Sequence, residues 1–115
     1  MSKVFNKIIG DSAEGLARNY LKNNGYKVIK CNYKNKLGEI DIIANEGKTL
    51  VFIEVKYRKD NSFGLPREAV DSCKQMKIRN VASVFINQNR LFDKSVRFDV
   101  LEILGDKITL IKNCF

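Results

Sequence analysis

Two runs rich in β-branched and aromatic residues, Gly38 to Asn45 (GEIDIIAN) and Thr49 to Arg58 (TLVFIEVKYR), stand on either side of a polar turn. Asn45, Glu46, Gly47 and Lys48 spell that turn, and Asn and Gly tolerate the positive φ that a tight connection needs. The stretch is therefore read as an antiparallel hairpin. Three charged side chains interrupt its apolar pattern: Asp41 in the first run, Glu54 and Lys56 in the second. An ionised group in a mostly apolar strand is costly unless it is paired, solvated or bound to metal. Their placement is a lead to chemistry.

Strand side chains alternate between faces, so Leu50, Phe52, Glu54 and Lys56 share one face and Val51, Ile53, Val55 and Tyr57 the other. On the preceding run Glu39, Asp41 and Ile43 share a face opposite Ile40, Ile42 and Ala44. A loop of even length, such as Gly47-Lys48 alone, pairs position 45 with 50 and sets Asp41 opposite Glu54. Two carboxylates and an amine then meet on one patch, where the carboxylates repel unless a cation lies between them. An odd loop separates them. The chain has no histidine, and oxygen ligands without histidine suit Mg²⁺ or Mn²⁺. Cys31, Cys73 and Cys114 lack the close paired spacing of a zinc site. Lys56 is placed to orient or deprotonate a water, or to neutralise charge on a phosphoryl group. The competing reading is an edge-of-sheet salt bridge between Glu54 and Lys56 or Lys48, which produces the same pattern.

At 115 residues, 44% hydrophobic and 30% charged, the chain is expected to be a single soluble domain spanning 1–115. No apolar run approaches bilayer length, and the stretch near the N-terminus is too short for a secretory signal, so a cytoplasmic location is expected. An odd number of cysteines without framework spacing agrees with a reducing compartment. With 21 Lys plus Arg against 13 Asp plus Glu, the net charge of +8 favours an anionic partner, and nucleic acid over membrane. The charge concentrates in Lys27, Lys30, Lys34 and Lys36, in Lys56, Arg58 and Lys59, and in Lys74, Lys77 and Arg79. Solvated basic faces are also common in proteins that bind no nucleic acid.

A first helix is expected from about Asp11 to Asn24, burying Ala13, Leu16, Ala17, Tyr20 and Leu21, with Gly25 as its stop. Glu14 flanks that stripe, either solvated or reaching back toward the sheet. Strands follow over Tyr26–Tyr33, Gly38–Asn45 and Thr49–Arg58, then a loop at Asn61 to Gly64. Pro66 suits the first turn of a second helix running to about Asn87, with Glu68 near its positive end. Val70, Cys73, Lys77, Val81, Val84 and Phe85 fall on or near one side of it. Arg97–Leu104 and Lys107–Lys112 read as strands about a Gly105-Asp106 turn. The order α-β-β-β-α-β-β implies an α/β or α+β fold with a mixed sheet of about five strands flanked by helices. Arg97 and Asp99, opening the fourth strand, are either a local salt bridge or part of a functional sheet end.

The segments GDSAEGLA (Gly10 to Ala17), NYKNKLGEIDIIA (Asn32 to Ala44), LVFIEVKYR (Leu50 to Arg58), FGLPREAV (Phe63 to Val70), RFDV (Arg97 to Val100) and the ending IKNCF resemble the YraN family of small bacterial proteins in the right order. That family resembles the restriction-endonuclease-like nucleases with a PD-(D/E)xK site, and among them the archaeal Holliday-junction resolvases. The resemblance implies Asp41 and Glu54 as metal-binding carboxylates, Lys56 as the catalytic lysine, Glu14 as the additional acidic residue, and the Val55 carbonyl as a further metal ligand. It implies a phosphate contact for Lys74. Ile40 stands where the superfamily pattern has proline.

The expectation is a Mg²⁺- or Mn²⁺-dependent endonuclease acting on branched or structured DNA. Its rivals are a non-catalytic nucleic-acid-binding module, gripping phosphates through Lys34, Lys36, Arg58 and Lys59, and a protein-interaction adaptor. A resolvase would be a homodimer. Phe63, Leu65, Leu91 and Phe92 are candidates for its contacts, or ordinary packing under a loop.

Overall fold

A computed structural model describes residues 3–58 and 71–115. Its elements are α1 (Lys3–Asn23), β1 (Lys27–Asn35), β2 (Gly38–Glu46), β3 (Thr49–Arg58), α2 (Ser72–Gln88), β4 (Ser95–Leu104) and β5 (Lys107–Ile111), in the order read from the sequence. They form an α+β fold with one five-stranded mixed sheet, spatial order β1-β2-β3-β4-β5. Every neighbouring pair is antiparallel except β3 and β4, which run parallel because the chain returns through α2 between them. Among the described residues no helix is long and apolar enough to cross a membrane.

The alternation along β3 divides the core into two. Leu50 and Phe52 pack with Ile78, Val81, Ala82 and Phe85 of α2, while Val51 and Ile53 pack with Ala13, Ala17 and Leu21 of α1. The same alternation fails on β2. Ile40 packs on the α2 side with Tyr33, although Ile42, two residues on, packs on the α1 side. β1 changes face at the same level: Cys31 packs on the α1 side and Tyr33 on the α2 side, on either side of Asn32, whose φ of 54° is left-handed and which lies between the pairs Cys31↔Ile42 and Tyr33↔Ile40.

The first helix starts at Lys3 rather than near Asp11, running through Gly10. The expected start at Asp11 left out Phe5, Ile8 and Ile9, which continue the helical spacing of Ala13 and Ala17 in the sequence. Leu16 is a correction: it is 47% exposed, and among the described residues the buried stripe is Ala13, Ala17 and Leu21 at intervals of four, with Tyr20 packed partly buried beside it. Alanines at the closest approach let α1 lie near the sheet. The helix ends at a Schellman motif, with Gly25 at φ 86°, Tyr26 N–H donating to the Leu21 carbonyl at 2.9 Å, and Gly25 N–H to that of Lys22 at 3.3 Å.

The second helix, as described, runs from Ser72. Asp71 is its N-cap, Oδ1 accepting from the Lys74 N–H at 2.9 Å. Cys73 and Lys77 are exposed instead of lying on the packed side, which is formed by Ile78, Val81, Ala82 and Phe85. Lys59, Asn61 to Gly64, Leu65, Pro66, Glu68 and Val70 lie outside the described residues. Leu91 packs partly buried against the α2-side core, whereas Phe92 is 68% exposed. Replacing the cap, Asp71→Ala, is expected to lower stability by about 1 kcal/mol in urea unfolding. A neutral result would mean that another group caps the helix.

Candidate functional site

The connection between β2 and β3 is a two-residue loop, Gly47-Lys48, with positive φ at Gly47 and the pairs Glu46↔Thr49 and Asn45↔Leu50. This is the even register. The ladder ends at Ile42↔Ile53, and one step further Asp41 comes against Glu54. Asp41 there takes over a backbone role, its Oδ2 accepting the Val55 N–H at 2.8 Å. Because a strand residue directs its N–H and C=O to the same side, the Val55 carbonyl faces the gap that opens as β2 leaves β3. β3 itself continues along β4 to Arg58↔Leu104. The charged patch thus sits inside the sheet, at a split, and not on an edge.

Above the split is a cavity of about 260 Å³ lined by Gly38, Glu39, Asp41 and Glu54 from the sheet and by Lys74, Lys77, Ile78 and Val81 from α2. Lys74 and Lys56 bring their Nζ atoms to 3.2 and 3.5 Å from Glu54 Oε1. Burial and then the Glu54 charge push the Asp41 carboxyl up to about 6, against the pull of the Val55 N–H. The Lys56 ammonium is held below the usual lysine range by burial and by the neighbouring Lys74, against the opposite effect of Glu54. The ion pair foreseen between Glu54 and Lys56 exists, and Lys56 draws the Asp41 carboxyl down by less than burial and the Glu54 charge raise it.

The donors facing one another across the gap are all oxygen: two carboxylates and the outward-facing Val55 carbonyl. Mg²⁺ is typically held by one or two carboxylates with water and substrate phosphate completing its shell, so this set suits such an ion. Among the described residues no three His, Cys, Asp or Glu side chains converge as a ready-made cage. Glu14 does not line the cavity; its Oε1 accepts from Asn32 Nδ2 at 2.8 Å. The glutamate reaches back to the sheet, and it does so at the left-handed residue where β1 changes face.

The remaining basic candidates spread outward. Lys34 and Lys36 are exposed on the β1–β2 hairpin, and Arg58 ends β3, where its carbonyl accepts the Gly105 N–H at 2.8 Å. Three residues at or near the site were not anticipated for it. Glu39 and Lys77 line the cavity. Glu102 is buried and stands level with Lys56 across the parallel β3–β4 ladder. Alternation from Val100 puts Glu102 on the α2 face, but only the register of β4 could have revealed its nearness to Lys56.

Arg97 and Asp99 prove to be a local salt bridge. Arg97 Nε and Nη2 donate to the two oxygens of Asp99 at 2.9 and 2.8 Å, Nη1 donates to Glu46 at 2.7 Å, and Nη2 also donates to the Tyr26 hydroxyl at 2.8 Å. The Asn113 N–H donates to Asp99 Oδ1 and Lys112 Nζ to Glu46. This network joins β2, β4 and the segment after β5 at the turn end of the hairpin. The carboxylate cavity lies at the other end.

Residues 13–103 match the family described as "Uncharacterised protein family UPF0102". The chain is 46% identical over 119 residues to a UPF0102 protein of Clostridium beijerinckii, covering 98% of this chain and 97% of the relative. It is 51% identical over 100 residues to one of Alkaliphilus oremlandii, covering 85% and 86%. A third, from Fusobacterium nucleatum, is 47% identical over 105 residues, covering 91% and 88%.

Proposed function

The chain belongs to the UPF0102 (YraN) family, and we propose that it is a divalent-cation-dependent endonuclease that hydrolyses phosphodiester bonds in branched or structured DNA. The observation that carries this reading is the juxtaposition of Asp41 and Glu54 at the split between β2 and β3, with the Lys56 ammonium 3.5 Å from Glu54. Asp41, Glu54 and the Val55 carbonyl would hold Mg²⁺ or Mn²⁺. Such an ion, when bound, polarises a phosphoryl oxygen and lowers the pKa of an attacking water.

The chain's own residues supply the rest. Asp41 is fixed by the Val55 N–H, so its carboxylate presents a defined edge to the gap. Lys56, with its charge disfavoured by burial, is suited to orient the water or take its proton. Lys74 and Lys77, on the helix side of the cavity, meet the negative charge of the phosphate. The net charge of +8 draws a polyanion to the surface.

The test is cleavage of labelled four-way junction, flap, single-stranded and duplex DNA with Mg²⁺ or Mn²⁺, by the purified chain and by Lys56→Ala. Wild-type cutting reduced by about 10²-fold or more in the variant supports the assignment of Lys56. Undiminished cutting by Lys56→Ala would remove the lysine from the chemistry. Salt-sensitive binding without cutting under either metal would replace the nuclease with a binding module.

A further inference from the structure

Next to the carboxylate cavity, the groove between α2 and the β1–β2 turn holds a second cavity of about 370 Å³, lined by Asn35, Lys36, Leu37, Val84 and Gln88. Its surface is almost wholly apolar despite those polar names. The two cavities have no lining residue in common, but their walls are contiguous along the hairpin and the helix. Gly38, on the first, follows Leu37; Val81, also on the first, precedes Val84 by about one helical turn. Between them the hairpin touches the helix, and a Cβ on Gly38 would lie 3.2 Å from Val81 Cγ2.

This wall is preformed. Asn35 Oδ1 accepts the Leu37 N–H at 2.8 Å, fixing the turn, and Asn35 Nδ2 donates to the Tyr33 hydroxyl at 3.3 Å, which in turn donates to Gln88 at 3.0 Å. Leu37 is nevertheless 51% exposed, an apolar side chain held in place at the rim of a groove. Lys36 and Lys77, exposed on either side, have no carboxylate partner among the described residues.

We propose that this second cavity receives an unpaired base of the strand whose phosphate occupies the carboxylate cavity, so that the substrate carries an unstacked nucleotide beside the bond that is cut. The proposal rests on the hydrolytic reading of that neighbouring site. A nucleobase has an apolar face, which matches the Leu37–Val84 walls, and a polar edge that can stay toward solvent at the open mouth of the groove. Lys36 and Lys77 are the charge complement of the phosphates on either side. Inside a duplex the base is stacked and paired and cannot enter, whereas a junction, flap or gap offers it without that cost.

The experiment uses the full chain carrying Asp41→Asn, so that substrate is bound but not cut, and DNA with 2-aminopurine either unpaired at a junction or paired in a duplex. Fluorescence is expected to rise on binding only where the probe is unpaired. Adding Leu37→Ser should weaken binding of the unpaired substrate about five-fold and leave duplex binding unchanged. Val84→Ser, on the facing wall, should act in the same direction. Leu16→Ser, on an exposed leucine of α1, should change neither. Equal losses on both substrates, no effect of Leu37→Ser, or no nucleic-acid binding would each overturn the proposal. If wild-type chain cuts nothing while the fluorescence rise and its loss in Leu37→Ser persist, the hydrolytic reading falls and the base subsite stands.

Discussion

Asp41→Asn is expected to reduce cleavage on the order of 10³-fold or more while making the metal-free protein more stable at neutral pH. The two effects have one cause. Burial and the Glu54 charge raise the Asp41 carboxyl to about 6, above the 3.8 of an unperturbed aspartate. The folded state therefore binds this proton more tightly than the unfolded chain. Stability from the protonated carboxyl is fully present below about pH 4 and is lost as pH rises through about 6. At pH 7.5 the ionised group carries a penalty with a ceiling of about 3 kcal/mol. Asparagine keeps an oxygen for the Val55 N–H and removes the charge. A gain on the order of 1–2 kcal/mol in EDTA, fading toward pH 4, is the expected urea-unfolding result. Mg²⁺ should stabilise the wild type and leave the variant unmoved. Retained cleavage would remove Asp41 from the machinery. A clear loss of stability at pH 7.5 would make it a structural strand cap.

Much of this site was legible because it depends on local parity. The alternation of β3 puts Glu54 and Lys56 on one face, and a two-residue turn at Gly47-Lys48 is enough to set Asp41 against Glu54. No long-range information enters. Glu102 and Lys77 were hidden for the opposite reason: Glu102 stands beside Lys56 through a parallel ladder with α2 in between, and Lys77 is exposed toward solvent yet borders the cavity. The helix periodicities were right in period and wrong in detail. Leu16 fits the apolar pattern of α1, but among the described residues the helix meets the sheet through Ala13, Ala17 and Leu21 with Tyr20 packed beside them. Asn32 could not be read at all as the residue where β1 changes face, since asparagine in the left-handed region has no periodic signature.

Arg97→Leu is expected to cost about 3–5 kcal/mol of folding stability. Asp99 is fully buried, and with Arg97 gone its charge would keep only the Asn113 N–H as a hydrogen-bond donor. The cost comes from the stranded charge more than from the lost attraction. The double variant Arg97→Leu/Asp99→Asn should therefore recover part of the loss, which separates the two contributions in a double-mutant cycle. Acid titration gives an independent signature. Arg97 holds the Glu46 carboxyl down at about 2, so the stability this pair contributes is present above the ordinary glutamate range and lost as pH falls toward 2. Arg97→Leu should flatten that part of the profile. Additive single and double effects, or an unchanged acid limb, would show that the network contributes little. Glu46 lies five residues from Asp41 along β2, roughly 17 Å, so Arg97→Leu protein that remains folded at low temperature should still cut. Stability and chemistry are then assigned to opposite ends of the same hairpin.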